Sequence, residues 1–359
     1  MIENQLEQLK QWLDKPAAVV IIPHKNPDGD AMGSCLAWQG ILNQLGHSTT
    51  LIAPNDYPTF LHWLPGHDSV LIYENNQEAA DKLIAAADMV FTLDFNTLKR
   101  IDQMGVRVSE SYAKKIMIDH HQEPDDYADI MFSNPAIGST CEFVFQIIEG
   151  LGLVQNINKD IASSLYTGIV TDTGSFRFPS VTAATHLAVA TLIDAGANHS
   201  QIHEKIKDNA RPDRLKLLGI ALNNMIFITK YKMAYITLSQ DELDACNYQK
   251  GDTEGFVNYG LSIAGIEMAV LMTESKKENM IKISFRSKGD LAVNLFAKTY
   301  FEGGGHINAA GGKSDKSLQE TEAYFLKSLA TFLSWPHILY FPNLKFKIWT
   351  TKPYSQHLF

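Results

Sequence analysis

Three short strand-like runs, Ala17 to Ile22, Met89 to Leu93 and Lys114 to Ile118, each give way to histidine or aspartate within two residues. Their length and β-branched content are those of buried strands. Between them the pattern turns helical. From Cys35 through Leu36, Ile41, Leu42 and Leu45 the apolar residues recur at helical spacing and stop at Gly46, and Asp81 to Ala87 has helical composition. His47 to Ala53 reads as a further strand. Strands alternating with helices predict an α/β fold whose parallel sheet, flanked by helices, is joined by right-handed crossovers. Such sheets place ligands outside the carboxyl ends of their strands. His24, Asp28 and Asp30 follow the first run, Asp94 the second, and Asp119, His120 and His121 the third.

At 359 residues the chain exceeds one ordinary core, so two domains are expected. Residues 1 to 15 carry Leu6, Leu9, Trp12 and Leu13 at helical spacing and predict a helix packed on the sheet. Further helices are predicted from Ser139-Thr140 to Gly150, from Asp160 to Val170, and from Thr182 to Ala195. The loop with Pro54, Pro58 and Pro65 contains Trp63 and His67, which read as packing and surface residues. Residues 1–196 form the first predicted domain and the polar stretch 197–215 the linker. A smaller α/β domain is predicted over 216–335, with the active site in the cleft between the two. Its strands are Lys232 to Leu238, Gly265 to Met272 and Asn279 to Ser287. Helices are predicted at Gln240 to Ala245, Gly255 to Ile263, Leu291 to Tyr300 and Ser317 to about Ser334. Gly303-Gly304-Gly305-His306-Ile307-Asn308-Ala309-Ala310-Gly311-Gly312 marks backbone that something approaches closely. The tail 336–359 is apolar and aromatic and has no assigned role.

Composition excludes several classes. Cys35, Cys141 and Cys246 are an odd count without Cys-x-x-Cys spacing, which excludes a disulfide framework and a thiolate zinc site. A formal net charge of −9 argues against coating long nucleic acid or duplex. No apolar run is long enough to span a bilayer and no basic-plus-apolar leader follows Met1, so the cytoplasm is the expected compartment and no membrane partner is expected.

Taken singly, each acidic residue has an ordinary explanation, such as the Asp-Gly turn at Asp28 or a helix cap. Together, His24, Asp28, Asp30, Asp94, His120, His121 and Asp172 form a set that these explanations fit poorly. Aspartate with imidazole is a ligand set for Mn²⁺, Mg²⁺ or Zn²⁺, and the excess of carboxylate favours the harder ions. Four clustered carboxylates without cations would raise one another's pKa values. Two divalent cations would balance them, one carboxylate being shared, and hydrolysis of a phosphate ester is the chemistry such a pair supports.

In this arrangement the chain resembles the DHH phosphoesterase superfamily, whose namesake motif stands here as Asp119-His120-His121. The likeness extends to His24-x-x-Pro27-Asp28-x-Asp30, Asp94-Phe95-Asn96, Thr171-Asp172-Thr173-Gly174 and the glycine-rich Gly303 to Gly312 segment typical of the DHH-associated C-terminal domain. Within the superfamily, the chain length and the pairing of Arg286-Ser287-Lys288 with Gly-Gly-Gly-His resemble the bifunctional nano-RNase and 3′-phosphoadenosine 5′-phosphate phosphatase group. The resemblance implies that His24, Asp28 and Asp94 hold one metal, and that Asp30, Asp94, His120 and Asp172 hold the other, with Mn²⁺ the first choice. It implies that His121 faces the substrate and that Asp119 orients an imidazole or water. Arg286, Gly304, Gly305 and His306 would grip the rest of the nucleotide.

The expected substrates are short RNA oligonucleotides, dinucleotides or 3′-phosphoadenosine 5′-phosphate. Hydrolysis of linear or cyclic dinucleotides is the alternative, and cleavage of pyrophosphate or polyphosphate ranks behind both. A nucleotide sensor that has lost catalysis should lack a metal ligand, and here every ligand position is filled. Homodimerisation is left open.

Overall fold

The computed structural model describes residues 2–208 and 210–333. The tail 336–359, with the last residues expected of the second domain, lies outside the described residues. In chain order the first part contains α1 (Ile2–Trp12), β1 (Ala18–Ile22), α2 (Gly29–Gln44), β2 (Ser48–Ala53), β3 (Leu71–Ile72) and α3 (Gln77–Ala86). There follow β4 (Met89–Leu93), α4 (Asp102–Glu110), β5 (Lys114–Asp119), β6 (Ile130–Ser133), α5 (Thr140–Gly150), α6 (Lys159–Asp172), α7 (Ala183–Asp194), α8 (His199–Lys207) and α9 (Pro212–Asn223). The second part contains β7 (Ile226–Ile228), β8 (Met233–Leu238), α10 (Gln240–Ala245), α11 (Phe256–Leu261), β9 (Met268–Ser275) and β10 (Met280–Ser287), then α12 (Val293–Tyr300), β11 (Gly304–His306), β12 (Ala309–Ser314) and α13 (Leu318–Phe332). None of these helices is long and apolar enough to cross a membrane.

Contacts gather the described residues into two units. One runs to Asn223 and also includes Asp241–Phe256; the other combines Asn224–Gln240 with the residues from Val257 onward.

The sheet of the first unit has the order β3-β2-β1-β4-β5-β6, every neighbouring pair being parallel. Strand alternation sends Val19, Ile21, Phe91, Ile116 and Ile118 into a core shared with residues of α2, α5 and α6. Val20, Ile22 and Val90 point the other way, onto Ala80 and Ile84 of α3 and Met104 and Val108 of α4. Strand order reverses between β1 and β4, so the loops leaving these strands diverge and open the crevice where such sheets bind ligands.

Small residues bring α2 and α6 unusually close. A Cβ on Gly33 of α2 would lie 2.5 Å from the Ser164 carbonyl oxygen of α6, and one on Gly168 of α6 would lie 2.7 Å from Asp30 Oδ1 of α2. The approach holds the C-terminal end of α6 beside the loop after β1.

Several elements depart from the sequence expectation. α2 starts at Gly29, within the histidine-aspartate loop rather than beyond Ser34, because the Asp28 side chain accepts from Asp30 N and Ala31 N and caps it there. β3, β6 and α4 have no counterpart in the expectation. β3 has two residues and β6 four, too short for a periodicity to register, and α4 contains Gly105, Val106 and Val108, which are weak helix formers. The 197–215 stretch, read as a linker, forms α8 and the start of α9 and belongs to the first unit by its contacts. It looked like a connection because it buries little beyond Ile202. The return of Asp241–Phe256 to this unit, held by Arg211 Nη2 donating to Asp252 Oδ2 at 2.5 Å, had no sequence signal.

In the second unit the sheet order is β11-β12-β10-β9-β8-β7. Only β8 and β9 run parallel. Met233, Tyr235, Val270, Ile283 and Phe285 face α12 and α13, where Phe296, Phe325 and Phe332 complete the core. The glycine-rich segment folds as the β11–β12 hairpin. Gly303 at its start is sterically required, since a Cβ there would lie 2.0 Å from the Gly311 carbonyl oxygen.

Candidate metal centre

The loop after β1 with the first turn of α2, the loops after β4 and β5, and the end of α6 deliver the seven singled-out side chains to one place, and Asp119, the last residue of β5, lies beside His121. Asp94 sits between the histidines. Its Oδ2 is 3.5 Å from His24 Nε2, and its Oδ1 is 3.4 Å from His120 Nε2. Asp28 Oδ2 lies 3.9 Å from His24 Nε2, while its Oδ1 is occupied as the cap of α2. Asp172 Oδ2 and Asp30 Oδ2 lie 3.4 Å and 3.8 Å from His120 Nε2. Two groups result, His24 with Asp28 and Asp94, and Asp30 with His120 and Asp172, the ligand atoms of each lying within 4.8 Å of one another.

The backbone sets both imidazoles for metal binding. His24 Nδ1 lies 2.8 Å from the Lys25 carbonyl oxygen and His120 Nδ1 lies 3.1 Å from that of Ile137. A carbonyl can only accept, so each Nδ1 carries a proton, and each Nε2, when unprotonated, turns a lone pair toward the carboxylates. This is the usual outer support of a metal-ligating histidine. Separations of 3.4–3.9 Å between those atoms exceed a direct N–H···O bond, typically about 2.9 Å, and suit atoms flanking one cation. The donor set therefore fits a pair of hard divalent ions.

The carboxylates are held before any ion arrives. Asp30 accepts from the amides of Thr140 and Cys141 at 2.6 Å and 2.8 Å, the first two N–H groups of α5. The exposed amides of a helix start are natural partners for an anion. Asp94 accepts from Thr140 Oγ1 at 2.9 Å and adopts a left-handed backbone with φ of 67°. An aspartate tolerates that region better than most residues, and such conformations gather at functional sites.

Electrostatics show what the cluster needs. Burial, then the charges of Asp94 and Asp172, push the Asp30 carboxyl well above the usual range. Burial also works on Asp94, but the neighbouring His120 and His24 imidazoles outweigh it and hold that carboxyl well below. For His120, burial works downward and is overcome by Asp94, Asp172 and Asp30, which raise the imidazole well above its ordinary value. His24 follows the same pattern, burial and Arg100 opposing and Asp94 and Asp28 prevailing. Without cations, protons supply the positive charge this site demands.

His121 is placed differently. Its Nδ1 lies 2.7 Å from Asp119 Oδ1, and burial lowers its pKa while Asp119 opposes the shift. Asp119 is fully buried, and its Oδ2 has no hydrogen-bond partner among the described residues.

Within the second unit, Arg286 pairs with Ala309 and Ala309 with His306, so the three share one row and one face across β10, β12 and β11. The small side chain of Ala309 leaves space between the other two. Gly304 has nothing within 4 Å of where a Cβ would stand, whereas one on Gly305 would lie 2.6 Å from the Ala309 carbonyl oxygen.

Thr140 and the carbonyls of Lys25 and Ile137 were not singled out from the sequence. Backbone acceptors carry no side-chain signature. Thr140 could have been found, because the predicted start of α5 at Ser139-Thr140 is a ready anion site.

Residues 18–169 match the DHH family, N-terminal domain, and residues 230–334 match the DHHA1 domain. The crystal structure of an exopolyphosphatase-related protein from Bacteroides fragilis is 39% identical, covering 92% of this chain and 96% of that one with a TM-score of 0.87. The bifunctional oligoribonuclease and PAP phosphatase NrnA of Thermus thermophilus is 29% identical over 85% of this chain and 86% of its own length. Its Bacillus subtilis namesake is 27% identical over 82% and 88%.

Proposed function

The chain belongs to the DHH family, and from that premise we propose that it is a dinuclear-metal phosphoesterase acting on short oligoribonucleotides and on the 3′-phosphate of 3′-phosphoadenosine 5′-phosphate. The observation that carries the reading is the position of Asp94 between His24 and His120, each imidazole presenting Nε2. His24, Asp28 and Asp94 would hold one ion; Asp30, Asp94, His120 and Asp172 would hold the other. Held there, two divalent cations, Mn²⁺ in this proposal, lower the pKa of water and stabilise the attacking and leaving oxygens at phosphorus.

The protein's own side chains do the rest. Asp94 divides its two oxygens between the histidines, which fixes the spacing of the two ligand groups. His121, turned by Asp119, presents its Nε2 edge to a phosphate oxygen or to the leaving group. Arg286 offers a planar fork suited to a second phosphate, with His306 two strands away on the same face and the open Gly304 position beside it. The choice of short RNA and 3′-phosphoadenosine 5′-phosphate draws on the activities named for the Thermus and Bacillus relatives, both of which match over most of their length.

One substrate panel tests the proposal. Di- to pentaribonucleotides, 3′-phosphoadenosine 5′-phosphate, linear and cyclic dinucleotides, pyrophosphate and polyphosphate are each assayed with Mn²⁺ and with Mg²⁺. Mononucleotide release from the short RNAs and phosphate release from 3′-phosphoadenosine 5′-phosphate are expected. Turnover confined to pyrophosphate or polyphosphate, or to cyclic dinucleotides, would replace the substrate assignment, and no turnover of any member would overturn the enzyme reading.

A further inference from the structure

The peptide unit between Ile137 and Gly138 stands between His120 and a buried glutamate. Its carbonyl accepts the Nδ1 proton of His120 at 3.1 Å. On its other side the amide of Gly138 faces the carboxylate of Glu142, whose Oε2 lies 3.2 Å from where a Cβ of Gly138 would be. Glu142 is only 3% exposed. Its Oε2 also accepts from Thr185 Oγ1 at 3.0 Å. The direction of that last bond is settled by Thr182 N, which donates to Thr185 Oγ1 at 3.0 Å and leaves the hydroxyl proton for the carboxylate.

Glu142 is the third residue of α5, where an acidic side chain is favourable for the helix dipole alone. A dipole role needs no burial. Here the carboxylate is turned inward, where burial raises its pKa and the hydrogen bonds from Thr185 and Gly138 oppose that shift. Thr185 Oγ1 donates to it and the Gly138 amide faces it, surroundings that suit an ionised carboxylate. Linked hydrogen bonds polarise one another in a low-dielectric interior.

We propose that Glu142 is a positioning residue for His120, acting through the Ile137–Gly138 peptide to fix the ring tautomer and to strengthen Nε2 as a metal ligand, while Thr185 holds the carboxylate in place. The carboxylate draws on the peptide N–H, the carbonyl becomes a better acceptor, and the imidazole becomes more basic at Nε2. No proton changes owner along the chain. The inference rests on the reading of His120 as a metal ligand.

Calorimetric titration of the metal-free full-length protein with Mn²⁺, with bound Mn²⁺ counted by electron paramagnetic resonance, tests it. Wild type should bind two ions; failure to do so would overturn the reading beneath the inference. Glu142→Gln keeps the shape and removes the charge. One of the two sites should weaken about tenfold, the scale typical of outer-shell partners, while the other site and the metal-free melting temperature stay as in wild type. Thr185→Val should weaken the same site in the same direction, and Thr185→Ser, which retains the hydroxyl, should restore it. Wild-type affinity at both sites in Glu142→Gln would overturn the proposal. If that variant fails to fold, equal Mn²⁺ affinity in Thr185→Val and Thr185→Ser would overturn it instead.

Discussion

Thr140 donates its hydroxyl to Asp94 Oδ1 at 2.9 Å, while its amide donates to Asp30 Oδ2 at 2.6 Å, so the first residue of one helix steadies two carboxylates of the centre. The amide contact survives any substitution except proline. The hydroxyl contact does not. Thr140→Val, nearly isosteric, should leave α5 intact and release Asp94, lowering Mn²⁺-dependent kcat/KM about tenfold, or about 1.4 kcal/mol. Thr140→Ser should retain most of the activity. Equal rates for the two variants would show that the hydroxyl has no part in holding Asp94.

Asp94→Asn separates metal binding from backbone strain, since asparagine also accepts the left-handed conformation that Asp94 adopts at φ 67°. The variant should fold, lose Mn²⁺-dependent hydrolysis, and lose the thermal stabilisation that Mn²⁺ gives. For wild type that stabilisation should be about 2.7 kcal/mol per site when free Mn²⁺ is 100 times its Kd, and chelation should reverse it. Thermal unfolding with Mn²⁺ and with a chelator measures both. A variant still stabilised by Mn²⁺ to the wild-type extent would remove Asp94 from its place between the ions.

Much of the first unit was legible because chemistry and periodicity coincide there. The run from Val19 to Ile22 is buried on both sheet faces, so it reads as continuous apolar sequence, and His24, Asp28 and Asp30 follow where a parallel sheet binds ligands. The start of α5 was equally clear from Ser139, which caps it by accepting from Glu142 N. What escaped has physical reasons. The carbonyls of Lys25 and Ile137 belong to any residue type, so no sequence pattern marks them. The 197–215 stretch is polar because α8 buries mainly Ile202, and a helix with so thin an apolar stripe resembles a connection. The Gly303 to Gly312 segment carries no strand signal because glycine weakens a strand pattern, yet it pairs as β11 and β12, where the backbone comes close enough at Gly303 and Gly305 to exclude a side chain.

Asp119 and His121 should separate kcat from metal binding. The Asp119 carboxylate receives His121 Nδ1–H at 2.7 Å, so its loss should act on that ring and leave the two ligand groups in place. Asp119→Asn is expected to lower kcat about 10- to 100-fold, the range usual for orienting partners, with Mn²⁺ content and KM little changed. His121→Ala should cost at least as much in kcat, and the double variant should cost no more than His121→Ala alone, because the aspartate acts through the ring. Additive losses would mean that Asp119 has a separate task, and loss of Mn²⁺ would place it nearer the ions.

The close approach of α2 and α6 gives a prediction that joins stability to the centre. A Cβ on Gly168 would stand 2.1 Å from Cys141 Sγ and 2.7 Å from Asp30 Oδ1, and neither neighbour is free to retreat. Cys141 is fully buried, and its own amide donates to that same Asp30 oxygen at 2.8 Å. Gly168→Ala must therefore push α6 away from α5 and α2 or displace Asp30 from the start of α5. Overpacking of this kind costs about 1–3 kcal/mol, so the melting temperature should fall, and Mn²⁺ affinity should fall with it because Asp30 and Asp172 lie on the two elements being separated. Gly219→Ala is the control. That glycine lies in α9 with nothing within 4 Å of its would-be Cβ, so alanine there should stabilise by about 0.5–1 kcal/mol and leave Mn²⁺ binding unchanged. Chemical denaturation with and without Mn²⁺ on both variants measures the contrast. If Gly168→Ala were as stable as wild type with unaltered Mn²⁺ affinity, the packing of α2 on α6 would not be what positions Asp30 and Asp172.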